Sequence, residues 1–271
     1  MIRLALRVRR EDAEVALAEL LELAPGGVEE VDLGDRVEYA IYGPPGELPA
    51  LPDVQVAIGD ALVEVVTTEV ADDWAERWKA FHRPVDVGPL RLRPPWEPPR
   101  PEAAIDLVID PGQAFGTGGH DTTRLCLELL LDLEPRGAFV DLGCGSGVLA
   151  IAAARLGWGA VLGVDVDPLA ITATAEDAVA NGVHITAERV DLREQVAPSA
   201  QTVAANLLRP LLLALRFDAA PETLIASGLL REEADEVGAA LSAAHDLVEE
   251  RRVSGGDWCA VLLRRGPSAG G

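Results

Sequence analysis

The sequence predicts an α/β protein in which a doubly wound, mostly parallel sheet with an antiparallel C-terminal hairpin strand follows a small N-terminal α+β domain. From about residue 120, strand-like and helix-like segments alternate, as in parallel sheets covered by helices on both faces. The chain ends in two strand-like segments joined by Ser254–Asp257, a hairpin that adds an antiparallel strand. Its 271 residues exceed one average domain, and 49% of them are apolar, enough for a core of normal size.

The predicted domain boundaries follow shifts in composition. The expected divisions are an N-terminal α+β domain at 1–70, a linker at 71–103, a second domain at 104–265 and a disordered tail at 266–271. The elements expected in the N-terminal domain are a strand at 2–9, a helix at 11–24 and short strands near 28–33 and 36–42. Leucine and valine recur at helical spacing in the second of these, and Pro25-Gly26-Gly27 ends it. No catalytic constellation is evident in this domain.

The predicted linker contains a short helix at 72–81. Asp72 is its expected N-cap, and Trp74 and Trp78, on one face, are expected to be packing residues. A proline-rich loop from Pro94 to Pro101 separates strand-like segments near 85–93 and 104–110. This loop is where the connection between the two domains is expected.

The second domain is predicted from its regular alternation of segments. The expected strands are 138–142, 160–165, 185–190, 202–206, 223–227, 246–253 and 258–264. The expected helices are 120–133, 147–156, 168–180, 207–217 and 231–243. In such a sheet, ligands bind outside the carboxyl ends of the strands, near the point where the strand order reverses.

The strongest local signal is the turn Asp141-Leu142-Gly143-Cys144-Gly145-Ser146-Gly147 after the first strand of this domain. Glycines let the backbone approach a ligand closely, and the start of the next helix offers unpaired N–H groups. The spacing is Gly-x-Gly-x-Gly, not the Gly-x-Gly-x-x-Gly of dinucleotide enzymes, and Asp141 precedes the first glycine by two residues. These details favour S-adenosylmethionine, so Asp141, Gly143 and Gly145 are predicted to border that cofactor.

Acids follow the next two strands. Asp165 is placed to accept both ribose hydroxyls of a nucleoside with its carboxylate. Asp167, followed by Pro168, better suits capping the next helix. Asp191 could meet the adenine amino group or could be a solvated loop acid, and both readings stay open.

Two further segments carry candidate site residues. The loop from Asp110 to Thr123 is rich in glycine and threonine and is predicted to cover the cofactor. Within it, His120 is either a general base or a polar surface residue. Asn206 ends the fourth strand, where it could orient an acceptor amine, cap the next helix, or do both.

Composition excludes several classes of protein. The chain has 45 Asp plus Glu against 23 Lys plus Arg, a net charge of −22, which argues against nucleic-acid binding and favours a basic protein partner. Its three isolated cysteines and four scattered histidines predict neither a disulfide framework nor a metal site. Charges inside the apolar start Met1–Arg7 argue against a signal peptide, and no apolar run could span a bilayer. A cytoplasmic monomer is expected.

Together these motifs resemble those of the ribosomal protein L-eleven methyltransferases, bacterial enzymes that methylate a large-subunit ribosomal protein. The segments that carry the likeness are 110–123, 141–147, 163–168 and 205–208, with further likeness at 74–81 and 258–265. The resemblance implies a seven-stranded class I methyltransferase domain joined by a linker to an N-terminal domain that recognises the substrate. The cofactor contacts that it implies are Thr123, Gly143, Asp165 and Asn206, with Phe115 and Thr117 in the covering loop.

The reaction implied by the resemblance is S-adenosylmethionine-dependent methylation of lysine ε-amino groups and the N-terminal α-amino group of that ribosomal protein. Asn206 is the expected catalytic residue, which orients the amine, and no obligatory strong base is expected. A lysine of another protein, such as an electron-transfer flavoprotein subunit, is the closest rival acceptor. A non-catalytic cofactor-binding module is the alternative from a different class. Leu207-Leu208, in place of Pro-Pro-aromatic, weighs against a glutamine or nucleic-acid acceptor, and the glycine spacing weighs against an oxidoreductase.

Overall fold

The computed structural model describes residues 2–13, 16, 29–43, 62–69, 82–111 and 119–266. The chain divides into two compact units, residues 1–81 and 82–271. Several predictions lie outside the described residues: most of the helix at 11–24, the helix at 72–81 with its tryptophans, Phe115 and Thr117 in the covering loop, and the tail beyond Gly266. Among the described residues, no helix is long and apolar enough to cross a membrane, and no cluster of His, Cys, Asp or Glu side chains could hold a metal ion.

The first unit contains a four-stranded antiparallel sheet of order β2-β3-β1-β4. Its strands are β1 (Ile2–Arg9), β2 (Glu29–Asp32), β3 (Arg36–Gly43) and β4 (Leu62–Glu69). Side chains alternate along β1: Leu4 and Leu6 are buried, whereas Arg3 and Arg7 face Glu38 on β3, at 2.6 and 2.7 Å. The strands expected near 28–33 and 36–42 are confirmed. β4 was not predicted, although its run of β-branched residues is typical of a strand.

A three-stranded sheet begins the second unit. It comprises β5 (Val85–Val87), β6 (Leu90–Arg93) and β7 (Ile105–Val108), with β5 antiparallel and β7 parallel to β6. Leu90, Leu92 and Leu107 are buried in the same apolar cluster as the helix Asp121–Leu131 and the strand residue Phe139. Residues 82–103, placed in the linker from the sequence, therefore contribute to the core of this unit because their apolar side chains pack there.

The main sheet has seven strands in the order β10-β9-β8-β11-β12-β14-β13. The strands are β8 (Ala138–Leu142), β9 (Ala160–Asp165), β10 (Thr186–Arg189), β11 (Thr202–Asn206), β12 (Thr223–Leu230), β13 (Leu247–Gly255) and β14 (Trp258–Arg265). The helices are α1 (Asp121–Leu131), α2 (Val148–Leu156), α3 (Pro168–Ala180), α4 (Arg209–Ala214) and α5 (Ala234–His245). Only β14 runs against its neighbours in this sheet, so the doubly wound fold with an antiparallel hairpin strand is confirmed.

Helices cover both faces of this sheet. Phe139 joins the apolar cluster that contains α1 and α2, and its neighbour Val140 joins the opposite cluster, which contains α4 and α5. This alternation along β8 is what a strand buried on both sides requires. Two helix boundaries differ from prediction. The helix expected at 207–217 is limited to α4, since the backbone becomes extended at Leu215. The helix expected at 231–243 starts at Ala234, after a turn in which the Glu233 carboxylate accepts a hydrogen bond from Leu230 N.

Candidate active site

A cavity of about 490 Å³ opens at the carboxyl ends of the parallel strands. Its described lining includes the glycine turn after β8, Asp165 at the end of β9, Asn206 at the end of β11 and Trp258 at the start of β14. Because β14 is antiparallel, its first residue lies at the edge where the parallel strands end. The strand order also reverses here, since β9 and β11 flank β8 on opposite sides. The cavity thus occupies the position at which such sheets bind ligands.

The turn after β8 depends on glycine at both of its ends. Gly143, Gly145 and Gly147 all have positive φ, at 73°, 54° and 79°. A Cβ atom on Gly143 would overlap Cδ2 of Leu207, and one on Gly147 would lie 2.8 Å from Cγ2 of Thr174. The first two turn amides, of Gly143 and Cys144, both donate to the carbonyl oxygen of Val164, which ties the turn to β9. The glycines therefore allow the turn to adopt this conformation, in which its backbone lies close to the cavity, as predicted.

Asp165 is held by backbone amides on both carboxylate oxygens. Gly145 N donates to Oδ2 and Asp167 N donates to Oδ1, each at 3.0 Å. A carboxylate oxygen can accept more than one hydrogen bond, so both retain capacity for the hydroxyl groups of a ligand. Asp167, as predicted, caps α3: its side chain accepts from Leu169 N at 2.8 Å, with Pro168 as the first residue of the helix.

Asp141 lies behind the glycine turn and not in the described lining of the cavity. It is 1% exposed, and its Oδ2 accepts a hydrogen bond from Ala150 N at 3.2 Å in the first turn of α2. The N-cap of α2 is Gly147, which has no side chain to cap the helix, so Asp141 supplies that acceptor from the preceding strand. Burial raises the pKa of Asp141 to about 7. Its side chain supports the turn, instead of bordering the cavity as the sequence led us to expect.

Asn206 lines the cavity and is linked to the start of α1. Its Nδ2 atom donates to Thr123 Oγ1 at 3.4 Å. Thr123 itself is fully buried and is not part of the described lining, to which Thr122 contributes instead. The capping role considered for Asn206 is not observed, since α4 begins at Arg209 with Leu208 as its N-cap. Asn206 is therefore available for a ligand. Thr123 is linked to the cavity by its hydrogen bond with the Asn206 side chain.

His120 lines the cavity but is engaged as the N-cap of α1. Its Nδ1 atom accepts from Thr122 N at 3.3 Å and lies 2.8 Å from Thr122 Oγ1. The Nδ1 atom is thus engaged within the cap of α1. The His120 ring also contacts the Trp258 ring edge-on, with 5.0 Å between centroids. These contacts favour a structural role over that of a general base.

Trp258 and Asp191 complete the described lining that bears on chemistry. Trp258 was not predicted as a site residue, and no local signal in the sequence marks it, because the strand direction of β14 alone brings it there. It gives the cavity an aromatic surface in addition to the leucines that follow Asn206. Asp191 lines the cavity, but both its oxygens accept from Arg193 at 2.9 Å, which lowers the pKa of Asp191. It is thus an ion-paired loop acid, and its contact with adenine stays a prediction.

Residues 52–266 match the family described as ribosomal protein L11 methyltransferase (PrmA). The chain belongs to this family. It is 43% identical to the ribosomal protein L11 methyltransferase of Pelotomaculum thermopropionicum, an alignment that covers 76% of this chain and 70% of the relative. It is 40% identical to that of Geobacter metallireducens, over 78% and 73% of the two chains. The chain is therefore a methyltransferase, as the sequence predicted.

A solved structure is similar in fold as well as in sequence. The crystal structure of ribosomal protein L11 methylase from Lactobacillus delbrueckii subsp. bulgaricus superposes with a TM-score of 0.61 at 27% identity. The superposition covers 68% of this chain and all of the other. The class I methyltransferase fold expected from the resemblance is thereby confirmed.

Proposed function

We propose that this methyltransferase transfers methyl groups from S-adenosylmethionine to lysine ε-amino groups and the N-terminal α-amino group of ribosomal protein L11. One observation carries the proposal: a single cavity brings together a fixed carboxylate at the end of β9, the glycine turn after β8, and an amide with apolar neighbours at the end of β11. The carboxylate end of this arrangement suits a nucleoside, and the amide end suits an amine with an aliphatic stem. The names of the relatives support the acceptor.

The residues on the nucleoside side have the chemistry that this cofactor requires. Asp165 supplies acceptors for two hydroxyls, and Val166, Val190 and Leu192 supply apolar surface for a flat base. Gly143, at positive φ, leaves room for the backbone to approach the amino acid part. When bound, S-adenosylmethionine supplies an activated methyl group. The cavity volume is within the usual range of ligand sites, roughly 300–1,000 Å³.

On the acceptor side, the residues must orient an amine and favour its neutral form. A lysine amine has an ordinary pKa of about 10.4 and must lose a proton before it can attack. Removing that amine from water in a cavity lined by Leu207 and Trp258 lowers its pKa, because desolvation disfavours the charged form. Since Nδ2 of Asn206 donates to Thr123, its side-chain oxygen is left to accept a hydrogen bond from the amine. No strong base is required in this scheme.

The family and the net charge are the main support for a basic protein acceptor. The identity of the residues after Asn206 is weaker support for it. Leu207 and Leu208 give no aromatic wall, but Trp258 offers one from another strand, so a flat acceptor is not excluded by these leucines alone. The net charge of −22 favours a basic acceptor such as a ribosomal protein. A lysine on another protein remains the rival.

The acceptor is tested by incubating the enzyme and labelled S-adenosylmethionine with a methyl-depleted ribosomal extract. We expect label on L11, identified by mass, at lysine and N-terminal amines. Label confined to a different protein would refute the proposed acceptor. Calorimetric titration with S-adenosylmethionine and with a nicotinamide dinucleotide tests the cofactor, and tight binding of the dinucleotide alone would refute it.

Asp165 provides a matched test of the nucleoside side. Asp165→Asn removes the charge from hydrogen bonds that are each worth about 1.5–3 kcal/mol when charged, so the affinity for S-adenosylmethionine should fall about 10- to 100-fold. Asp167→Asn is the control, because Asp167 caps α3 two residues away and asparagine is an equally good cap. We expect calorimetry to give nearly wild-type affinity for the control. Equal losses in both variants would contradict the role of Asp165.

A further inference from the structure

We infer that Ser227 and Gly228, at a bulge in β12, are positioning residues for the acceptor side of the cavity; this inference rests on the proposed function. Ala226 pairs with Val261 and Leu229 pairs with Cys259, so two residues of β12 face a single residue of β14. Such a bulge re-aims the strand and the groups around it. Here it lies beside three chain segments that contribute to the cavity: the turn after β11, the start of α1 and the start of β14.

Ser227 contacts all three of these segments. Its carbonyl oxygen accepts from Leu207 N at 3.0 Å. Its hydroxyl lies within donating distance of two carbonyl oxygens, that of Thr122 at 3.2 Å and that of Cys259 at 3.4 Å. Ser227 is fully buried and is not part of the described lining of the cavity.

Two partners of Ser227, Leu207 and Thr122, line the cavity themselves. The third, Cys259, follows Trp258, which also lines it, and Leu207 follows Asn206. The amide, the indole and the start of α1 are thus held relative to one another by one buried residue. Ser227 acts through these neighbours and touches no reacting group itself.

Gly228 sets how closely the turn after β11 approaches β12. It has a φ of +86°, and a Cβ atom there would overlap the carbonyl oxygen of Leu207 and lie 2.8 Å from its carbonyl carbon. These are backbone atoms, so a side chain could be accommodated only by moving the turn. Asn206 directly precedes Leu207 in the chain. The distance between the Leu207 backbone and Gly228 therefore determines where the side-chain amide of Asn206 lies. Methyl transfer needs the attacking nitrogen, the carbon and the sulfur in line, so a small displacement is costly.

The test uses Ser227→Ala and Gly228→Ala, each with a matched control. Thr202→Val removes a buried hydroxyl at the opposite end of the neighbouring strand β11. Gly182→Ala introduces the same left-handed strain, at a φ of +64°, where an added Cβ atom meets nothing within 4 Å. We expect kcat for the acceptor to fall about 10- to 100-fold in the two bulge variants, with cofactor affinity retained, because misplacement by about 1 Å can cost that much. The controls should keep kcat near wild type.

A second readout is independent of the acceptor. In nuclear magnetic resonance spectra of the full chain, the Trp258 indole and Asn206 amide resonances should shift in the bulge variants and not in the controls. Wild-type kcat and resonances in Ser227→Ala would overturn the inference, even if Gly228→Ala fails to fold. The inference would also be overturned if Thr202→Val lowered kcat as much as Ser227→Ala does, at an equal change in Tm. If the wild-type enzyme does not methylate L11, the proposed function fails, and the resonances still decide whether the bulge positions the two side chains.

Discussion

Asn206 and Asp141 both lie at or near the carboxyl ends of neighbouring strands, yet their surroundings give them opposite roles. Asn206 is half-buried at the cavity, with its oxygen available to a ligand. Asp141 is buried, and one of its oxygens has no hydrogen-bond partner within the part of the chain that the structure describes. A carboxylate in such a position is costly to ionise. Residue type and position near a strand end therefore do not by themselves define a site residue.

Asn206→Ala should lower kcat about 100-fold while leaving affinity for S-adenosylmethionine nearly unchanged. The reason is that the amide orients the amine, and orientation accounts for much of the rate of an in-line transfer. Steady-state kinetics with the acceptor protein and calorimetry with the cofactor measure the two effects. Thr123→Val, which leaves the amide in place but removes its partner, should cause a smaller loss of kcat. Unchanged turnover in Asn206→Ala would remove the assignment.

Asp141 should make stability depend on pH in a defined direction. Burial raises the folded pKa of Asp141 from its ordinary value to about 7, so the folded state favours the protonated form. Its contribution to stability is present below about pH 4 and is lost as the pH rises towards 7. The side chain introduced by Asp141→Asn would stay neutral at every pH. The free energy of unfolding of this variant, relative to that of wild type, should therefore increase between about pH 4 and 7, by at most about 4 kcal/mol.

Chemical denaturation of both proteins at a series of pH values tests this prediction. The quantity to compare is the difference between the two free energies of unfolding, since other titrating groups cancel in it. A difference that is constant from pH 4 to 8 would contradict the buried, protonated state of Asp141.

At the scale of elements, α3 pairs with the free edge of β7 through side chains. Just after its last residue, the Asn181 amide accepts from Val108 N at 2.8 Å and donates to Val108 O at 2.6 Å, as a neighbouring strand would. One turn earlier, the Asp177 carboxylate accepts from Asp110 N at 3.1 and 3.2 Å. The edge of the small sheet is thereby covered, which a sheet edge needs if it is not to pair with another chain. These contacts also fix the chain where it enters the loop before α1.

Asn181→Ala should lower the free energy of unfolding by about 2–4 kcal/mol, because the N–H and C=O groups of Val108 lose their hydrogen bonds to the Asn181 side chain. Urea denaturation measures the change. The control is Thr172→Ala on the exposed face of α3, where the lost hydrogen bond, to Pro168 O, is exposed; we expect a change below about 0.5 kcal/mol. A loss in Asn181→Ala no larger than in the control would mean that the side-chain pairing adds no stability.

At the scale of the whole molecule, the net negative charge of the chain bears on how it meets its acceptor. With a net charge of −22, the chain should attract a basic acceptor over distances of about one Debye length, which is ~10 Å at 0.1 M salt. We expect kcat/KM for the ribosomal protein to fall severalfold between about 50 and 500 mM salt, because screening slows productive encounter. Cofactor affinity, measured in the same buffers, is the control. A value of kcat/KM that does not depend on salt would argue against electrostatic recognition.

The sequence by itself determined the features that local patterns encode. The strands and helices of the second unit follow from apolar periodicity, and the glycine turn follows from the spacing of Gly143, Gly145 and Gly147. Asp165 could be predicted because a strand end about 20 residues past that turn always lies beside it in this topology. Each of these inferences needs only residues close together in the chain.

Only the tertiary structure decided which other groups surround the cavity. Trp258 lies there because β14 is antiparallel, and the bulge at Ser227 and Gly228 exists because of how β12 and β14 pair. The burial of Asp141 behind its own turn likewise depends on the packing of α2 against the sheet. Strand direction, register and burial involve residues that are far apart in the chain, so no local pattern in the sequence carries them.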